Sequence, residues 1–221
     1  MDDNVKHVNE EIYKKNFELA IKNKTLSVLR RLYDIAISSL DITEIAQKIV
    51  DTIVMELNFS AAIIALVDVK KQVLRPVAIT RSPEILQSLA EMGKSLSEVV
   101  TPLNFKNNLS IVAIDTKERQ ITANLLDILD PHVTQEMADK IENLTKIKTI
   151  VVYPLILGKK VLGVFIVGLA KRADDLSLAE KQTLEELISI VAISLDRASL
   201  HKELEIANDH LRELDKMKDE F

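Results

Sequence analysis

The chain has 221 residues, 47% of them hydrophobic and 29% charged, with a net charge of −5 and no cysteine. That length and apolar content suit one domain of about 150 residues with extensions, folded around a real core. The acidic balance offers no general attraction for nucleic acid, and the missing thiols exclude disulfides, thiolate nucleophiles, Cys-containing zinc sites and any cofactor attached through sulfur.

Asp2 and Asp3 stand where a secretory leader needs basic residues, so none is expected. Residues 4–40 contain no Gly or Pro, and apolar residues recur through Leu19, Leu26, Leu29, Tyr33, Ala36 and Leu40. This heptad-like spacing predicts a long amphipathic helix suited to pairing with another. Asp41 and Glu44 have the spacing of a capping box and open a second helix, with Ile42, Ile45, Ile49, Ile53 and Leu57 on one face. The apolar run 59–69, a polar turn at Lys70-Lys71 and the alternating run 73–80 predict a β-hairpin.

Ser82-Pro83 starts a helix that stops near Gly93. Residues 94–130 are the least regular, with an apolar run at 109–114 and a predicted helix at 122–129. Asp130-Pro131 reads as the opening of a further helix to about residue 144. Runs 149–157 and 160–170 flank Gly158-Lys159 as a second hairpin, where Gly163 and Gly168 permit close backbone approach. The charges at Lys159 and Lys160 keep this longest apolar stretch from crossing a bilayer as one helix, and a cytoplasmic protein without a membrane span is expected. Ser177 with Glu180 caps a last helix to the end of the chain. Along it Ile190, Ile193, Arg197, Leu200, Leu204, Ala207, Leu211 and Leu214 step by alternating three and four, the spacing of a coiled coil.

The hairpin from Tyr153-Pro154-Leu155 through Gly158-Lys159 to Gly163-Val164, the Leu176-Ser177-Leu178-Ala179-Glu180 entry into the last helix, and the Ala192-Ile193-Ser194-Leu195-Asp196 stretch beyond it resemble the GAF domain family, over about residues 25–200. The segment Leu211-Arg212-Glu213-Leu214-Asp215-Lys216-Met217 resembles the lead into the phospho-acceptor helix of sensor histidine kinases, whose phospho-acceptor and nucleotide-binding motifs are not found in these 221 residues. The resemblance implies an α+β fold, a GAF-like antiparallel β-sheet flanked by helices with long N- and C-terminal coiled-coil helices. It divides the chain into a signalling helix over 1–24, a sensor domain over 25–200 and an output helix over 201–221.

The implied function is a non-catalytic sensory domain that binds a small ligand or partner and relays the signal, as a homodimer, to a downstream histidine kinase core. The alternatives are a ligand-free homodimerisation or spacer module, and a regulatory domain of another output such as a diguanylate cyclase. An enzyme on this fold, such as a sulfoxide reductase, wants cysteines. Bilin-binding members attach their pigment through cysteine, so no covalent bilin is expected; the cofactor is otherwise open.

The residue chemistry is sparse. His7, His201 and His210 fall on the long helices, and His201 and His210 are nine apart rather than the four that place two metal ligands on one face, so no metal site is expected. His132 lies where the resemblance places the segment closing over a ligand pocket. Arg119 and Arg75, with Arg81 beside them, are candidates to pair an anionic ligand, against solvated surface arginines as the alternative. Tyr153 is a candidate pocket residue or a core tyrosine. The expected dimer interface comprises Leu26, Leu29, Ile193, Leu200, Leu204, Leu211 and Leu214.

Overall fold

The computed structural model describes residues 2–39, 41–175 and 178–219. Helix α1 (Asp2–Ser38) leads into α2 (Ile42–Leu57), whose first turn is capped as the sequence suggests but by a different arrangement. Asp41 Oδ1 accepts the amide protons of Thr43 and Glu44, both at 2.8 Å. The reciprocal bond from Glu44 is absent. Instead the Ser39 hydroxyl accepts the Asp41 amide at 3.2 Å and donates to Glu44 Oε2 at 2.6 Å. Asn58, in the left-handed region that Asn tolerates, ends the helix.

A six-stranded antiparallel sheet follows, from β1 (Ala61–Asp68), β2 (Val73–Ile79), β3 (Thr101–Pro102), β4 (Gln120–Thr122), β5 (Thr149–Leu157) and β6 (Lys160–Leu169), in the order β3-β2-β1-β6-β5-β4. Both hairpins form where the alternating runs predict them. Gly163 is obligatory in this sheet: a Cβ there would lie 2.0 Å from the Ala65 carbonyl oxygen of neighbouring β1. Gly158 turns the second hairpin at φ +60°, a conformation glycine adopts without strain.

Alternation divides the strand residues between two cores. On one face Ala62, Ile64, Val151, Leu155, Phe165 and Val167 pack with side chains of α1, α2 and α7 (Leu178–Asp219). On the other, Ala61, Ala65, Ile150, Val152, Val164 and Ile166 pack beneath short helices, namely α3 (Pro83–Glu91), α4 (Leu109–Thr116), α5 (Leu126–Leu129) and α6 (Gln135–Thr145). Ser82 caps α3 as expected.

The segment between the hairpins departs from the sequence reading. The apolar run 109–114 is helical because Asn108 caps it, its Oδ1 accepting the Ser110 amide at 2.9 Å. The expected helix at 122–129 shrinks to α5, preceded by β4, because Thr122 and Asn124 side chains hold the backbone in a turn around Asp127. The helix expected from Asp130-Pro131 begins only after Thr134, whose hydroxyl caps Met137. Asp130–Pro131 is a cis peptide, the Asp130 carbonyl accepts from Asn108 Nδ2 at 2.9 Å, and the His132 amide turns back to Leu129 O.

The long helices carry two stripes. Val28, Leu32 and Ala36 of α1, and Leu184, Leu187, Val191, Leu195 and Ala198 of α7, are buried within the chain. The stripe picked out by heptad spacing is largely a second one: Leu26, Tyr33, Ile193, Leu200, Leu204 and Leu211 are exposed, with Leu29 half-buried. Leu40, the Ser177 cap and the side chains of His7, Glu180, His210 and Leu214 lie outside the described residues. Among the described residues no helix is long and apolar enough to cross a membrane, and no cluster of acidic and His side chains could hold a metal ion.

Candidate functional site

A cavity of about 110 Å³ lies between the sheet and its short-helix cover. Its floor is made of small residues: Ala61 and Ala65 of β1 and Gly168 of β6 leave space that the larger residues at neighbouring strand positions would fill. Leu74, Ile150 and Ile166 form the strand walls, and Leu89, Leu96 and Ile128 come from the covering segments. Such a lining favours an apolar guest.

The few polar groups are nearly all committed. The Ser88 hydroxyl donates to Glu84 O at 2.7 Å. Thr101 Oγ1 lies 3.3 Å from His132 Nε2. Ser110 also lines the cavity, is 2% exposed, and its hydroxyl has no hydrogen-bond partner among the described residues. A hydroxyl at a cavity wall that keeps an open valence is the natural place for one polar atom of a guest.

Asn108 organises the cover. It is fully buried, and its amide donates to Ile128 O at 2.7 Å and Asp130 O at 2.9 Å while its oxygen caps α4. One side chain thus fixes Ile128 and Ser110, two cavity residues from different segments.

His132 stands behind the cavity wall, not in it. It is half-buried, holds Thr101, and its carbonyl accepts from Lys94 Nζ at 3.2 Å. Burial depresses its pKa below the ordinary 6.5, the Lys94 charge depresses it further, and Asp130 partly opposes both.

The other three candidates sit elsewhere. Tyr153 packs in the helix-side core, and burial raises its phenol pKa, with the Arg119 guanidinium opposing. Arg119 is exposed and donates to Glu185 on α7 at 2.9 Å. Arg75 is opposite Leu66 in the β1–β2 pairing, and Leu66 packs against the helix-side core, so Arg75 also belongs to that face. Its Nε is buried without a partner among the described residues. Arg81 is exposed.

Strand parity separates these residues: Tyr153 shares a side with Val151 and Leu155, and the cavity side with Ile150 and Val152. The cavity residues themselves carried one sequence signal, the alanines at 61 and 65 within an otherwise bulky strand.

The GAF domain family model matches residues 39–196, well over half of the chain. The chain belongs to the GAF domain family. GAF domains are signalling and sensory modules, regulatory as a rule. Among solved structures, the GAF domain of an Acinetobacter phosphoenolpyruvate-protein phosphotransferase is 19% identical, with a TM-score of 0.56 over 79% of this chain and 94% of that one. Residues 122 to 287 of a methyl-accepting chemotaxis protein are 16% identical, with a TM-score of 0.56 over 79% and 98%. The free methionine-R-sulfoxide reductase of Neisseria meningitidis, solved with its substrate, is 12% identical, with a TM-score of 0.56 over 80% and 91%. At such identities the likeness shows the GAF fold, which serves both signalling proteins and an enzyme. No curated protein matches the sequence.

Proposed function

We propose that this GAF domain is a non-catalytic cytoplasmic sensor whose apolar cavity takes a small, largely apolar molecule with one polar atom, held by Ser110. The observation that carries this reading is an apolar space of about 110 Å³ with a single unpartnered hydroxyl at its wall among the described residues. The size argues against haem and other large cofactors, since pockets for drug-sized ligands run to roughly 300–1,000 Å³. Phenol is a suitable probe. It should raise the melting temperature of the protein, because a ligand selective for the folded state stabilises it. Ser110→Ala should weaken phenol binding about tenfold and leave benzene binding unchanged. Failure of both probes to stabilise the protein would sink the reading and favour a ligand-free spacer.

The output proposed for this sensor is a homodimeric coiled coil, built from the N-terminal helix over 1–24 and the C-terminal helix over 201–221, which acts on a histidine kinase core. The exposed stripe of Leu200, Leu204 and Leu211 on α7 supports the pairing, since an apolar row of that length is best buried against a second copy. Replacing these three leucines together with Glu should give a monomer by light scattering. A kinase core fused after residue 221 should change its autophosphorylation when phenol is added. A fusion that responds only when the core is that of another output, such as a diguanylate cyclase, would redirect the proposal.

A further inference from the structure

We propose that His132 is the clasp of a lid, the segment Lys94–Val100, through which a guest enters and leaves the apolar cavity. This rests on the cavity being a ligand site, and it adds a positioning residue that sets the rate of exchange and not the affinity.

The segment is a thin part of the cover. Ile85, Ile128 and Ile141 line the cavity from other covering segments and are buried. Leu96 and Val99 line it too, yet both are only half-buried, and no residue over 91–100 is buried. Side chains that touch the cavity on one side and solvent on the other mark where a guest can pass.

The lid is stiff within itself and lightly attached. The Ser95 amide and hydroxyl both donate to Glu98 Oε2 at 2.6 Å, and the Glu98 amide returns to Ser95 O at 3.0 Å, so the turn over Leu96–Glu98 closes on its own bonds. At its start Gly93 holds φ +61°, and a Cβ there would meet no atom within 4 Å, which makes a joint with room to turn. Past its end, Thr101 and Pro102 pair with Leu74 and Val73 and are fixed by the sheet.

Among the described residues, every side-chain hydrogen bond from 94–101 to another part of the chain ends on His132. Lys94 Nζ donates to its carbonyl at 3.2 Å, just past the joint, and its ring Nε2 lies 3.3 Å from Thr101 Oγ1, at the far end. One residue thus fastens the lid at both ends. His132 is itself held by the turn that brings its amide to Leu129 O at 2.7 Å. Opening the lid breaks few bonds and unpacks no fully buried side chain, so it happens far more readily than global unfolding. Because an open lid admits and releases the guest alike, loosening the clasp speeds both steps by the same factor.

The chain has no cysteine, so a single thiol can be placed where only an open lid exposes it. Ser110→Cys puts one at the cavity wall and Ser194→Cys puts one on α7, both at positions 2% exposed. Methyl methanethiosulfonate should label the thiol at 110 more slowly than it labels free glutathione. Adding Lys94→Met or His132→Phe should speed that labelling about five- to tenfold and leave labelling at 194 unchanged. In the cysteine-free chain the same two variants should raise the association and dissociation rates of phenol together, with Kd constant within about twofold. Labelling at 110 that neither variant changes, or equal acceleration at 110 and 194, overturns the clasp. Phenol that fails to bind while labelling at 110 responds sinks the cavity reading alone. Phenol that binds with rates unaltered by both variants sinks the clasp alone.

Discussion

The two faces of the sheet are packed by different physics. On one, three regular helices present long periodic stripes, and residues such as Leu155, Phe165 and Leu187 are fully buried. On the other, four short helices cover the strands and a cavity remains. The covering segments are positioned by polar side chains, chiefly Asn108, His132 and the Thr122–Asp127 pair. Apolar periodicity closes a core by itself. A cover held from behind by hydrogen bonds can stay in place over empty space, which is what a binding site needs.

Removing side chains on either face tests the contrast most directly. Leu187→Ala, on the close-packed side, should cost about 3–5 kcal/mol in chemical denaturation, whereas Leu89→Ala, half-buried at the cavity, should cost about 1–2 kcal/mol. Equal losses would mean that the cavity side is as tightly packed as the other. Asn108→Ala should come next, at about 2–3 kcal/mol, by removing the donor to the buried carbonyl of Ile128 and the part-buried carbonyl of Asp130. Its signature is regional: hydrogen exchange should quicken across 94–134 while α2 and the buried half of α7 stay protected. Loss of protection on both faces together would show that the cover is part of one cooperative unit.

Filling the space gives a smaller effect. Ala61→Val should stabilise the ligand-free protein by up to about 1 kcal/mol and abolish phenol binding. Smallest is the response to pH. His132 has a depressed pKa, so its contribution is intact above about pH 6.5 and is lost as the pH falls toward its lower folded value. Mild acid should therefore loosen the loop holding Thr101, and His132→Gln should flatten that part of the pH dependence in a thermal melt.

The same division governed what the sequence revealed. Capped and periodic elements, from Asp41 and Ser82 to the two hairpins, were legible because their determinants lie within a few residues of one another. The cover was less so. Its helix boundaries depend on tertiary bonds such as Asn108 to Ile128 and Asp130, about twenty residues away, which no local pattern announces. For the site, residue chemistry drew attention to Arg75, Arg119 and Tyr153, which the fold places on the helix side. The cavity is instead marked by small residues, Ala61, Ala65 and Gly168, whose importance lies in what they leave vacant.

Helix α7 has a mechanical consequence as well. Ala198 is the last of its residues buried against the domain among those described, and the helix continues to Asp219. At 1.5 Å per residue the part beyond Ala198 is about 30 Å long. It behaves as a lever whose fulcrum lies beside the sheet, so a tilt of about 5° at the base carries its tip through nearly 3 Å. A displacement too small to disturb the core becomes, at the far end, a shift of half a helical turn.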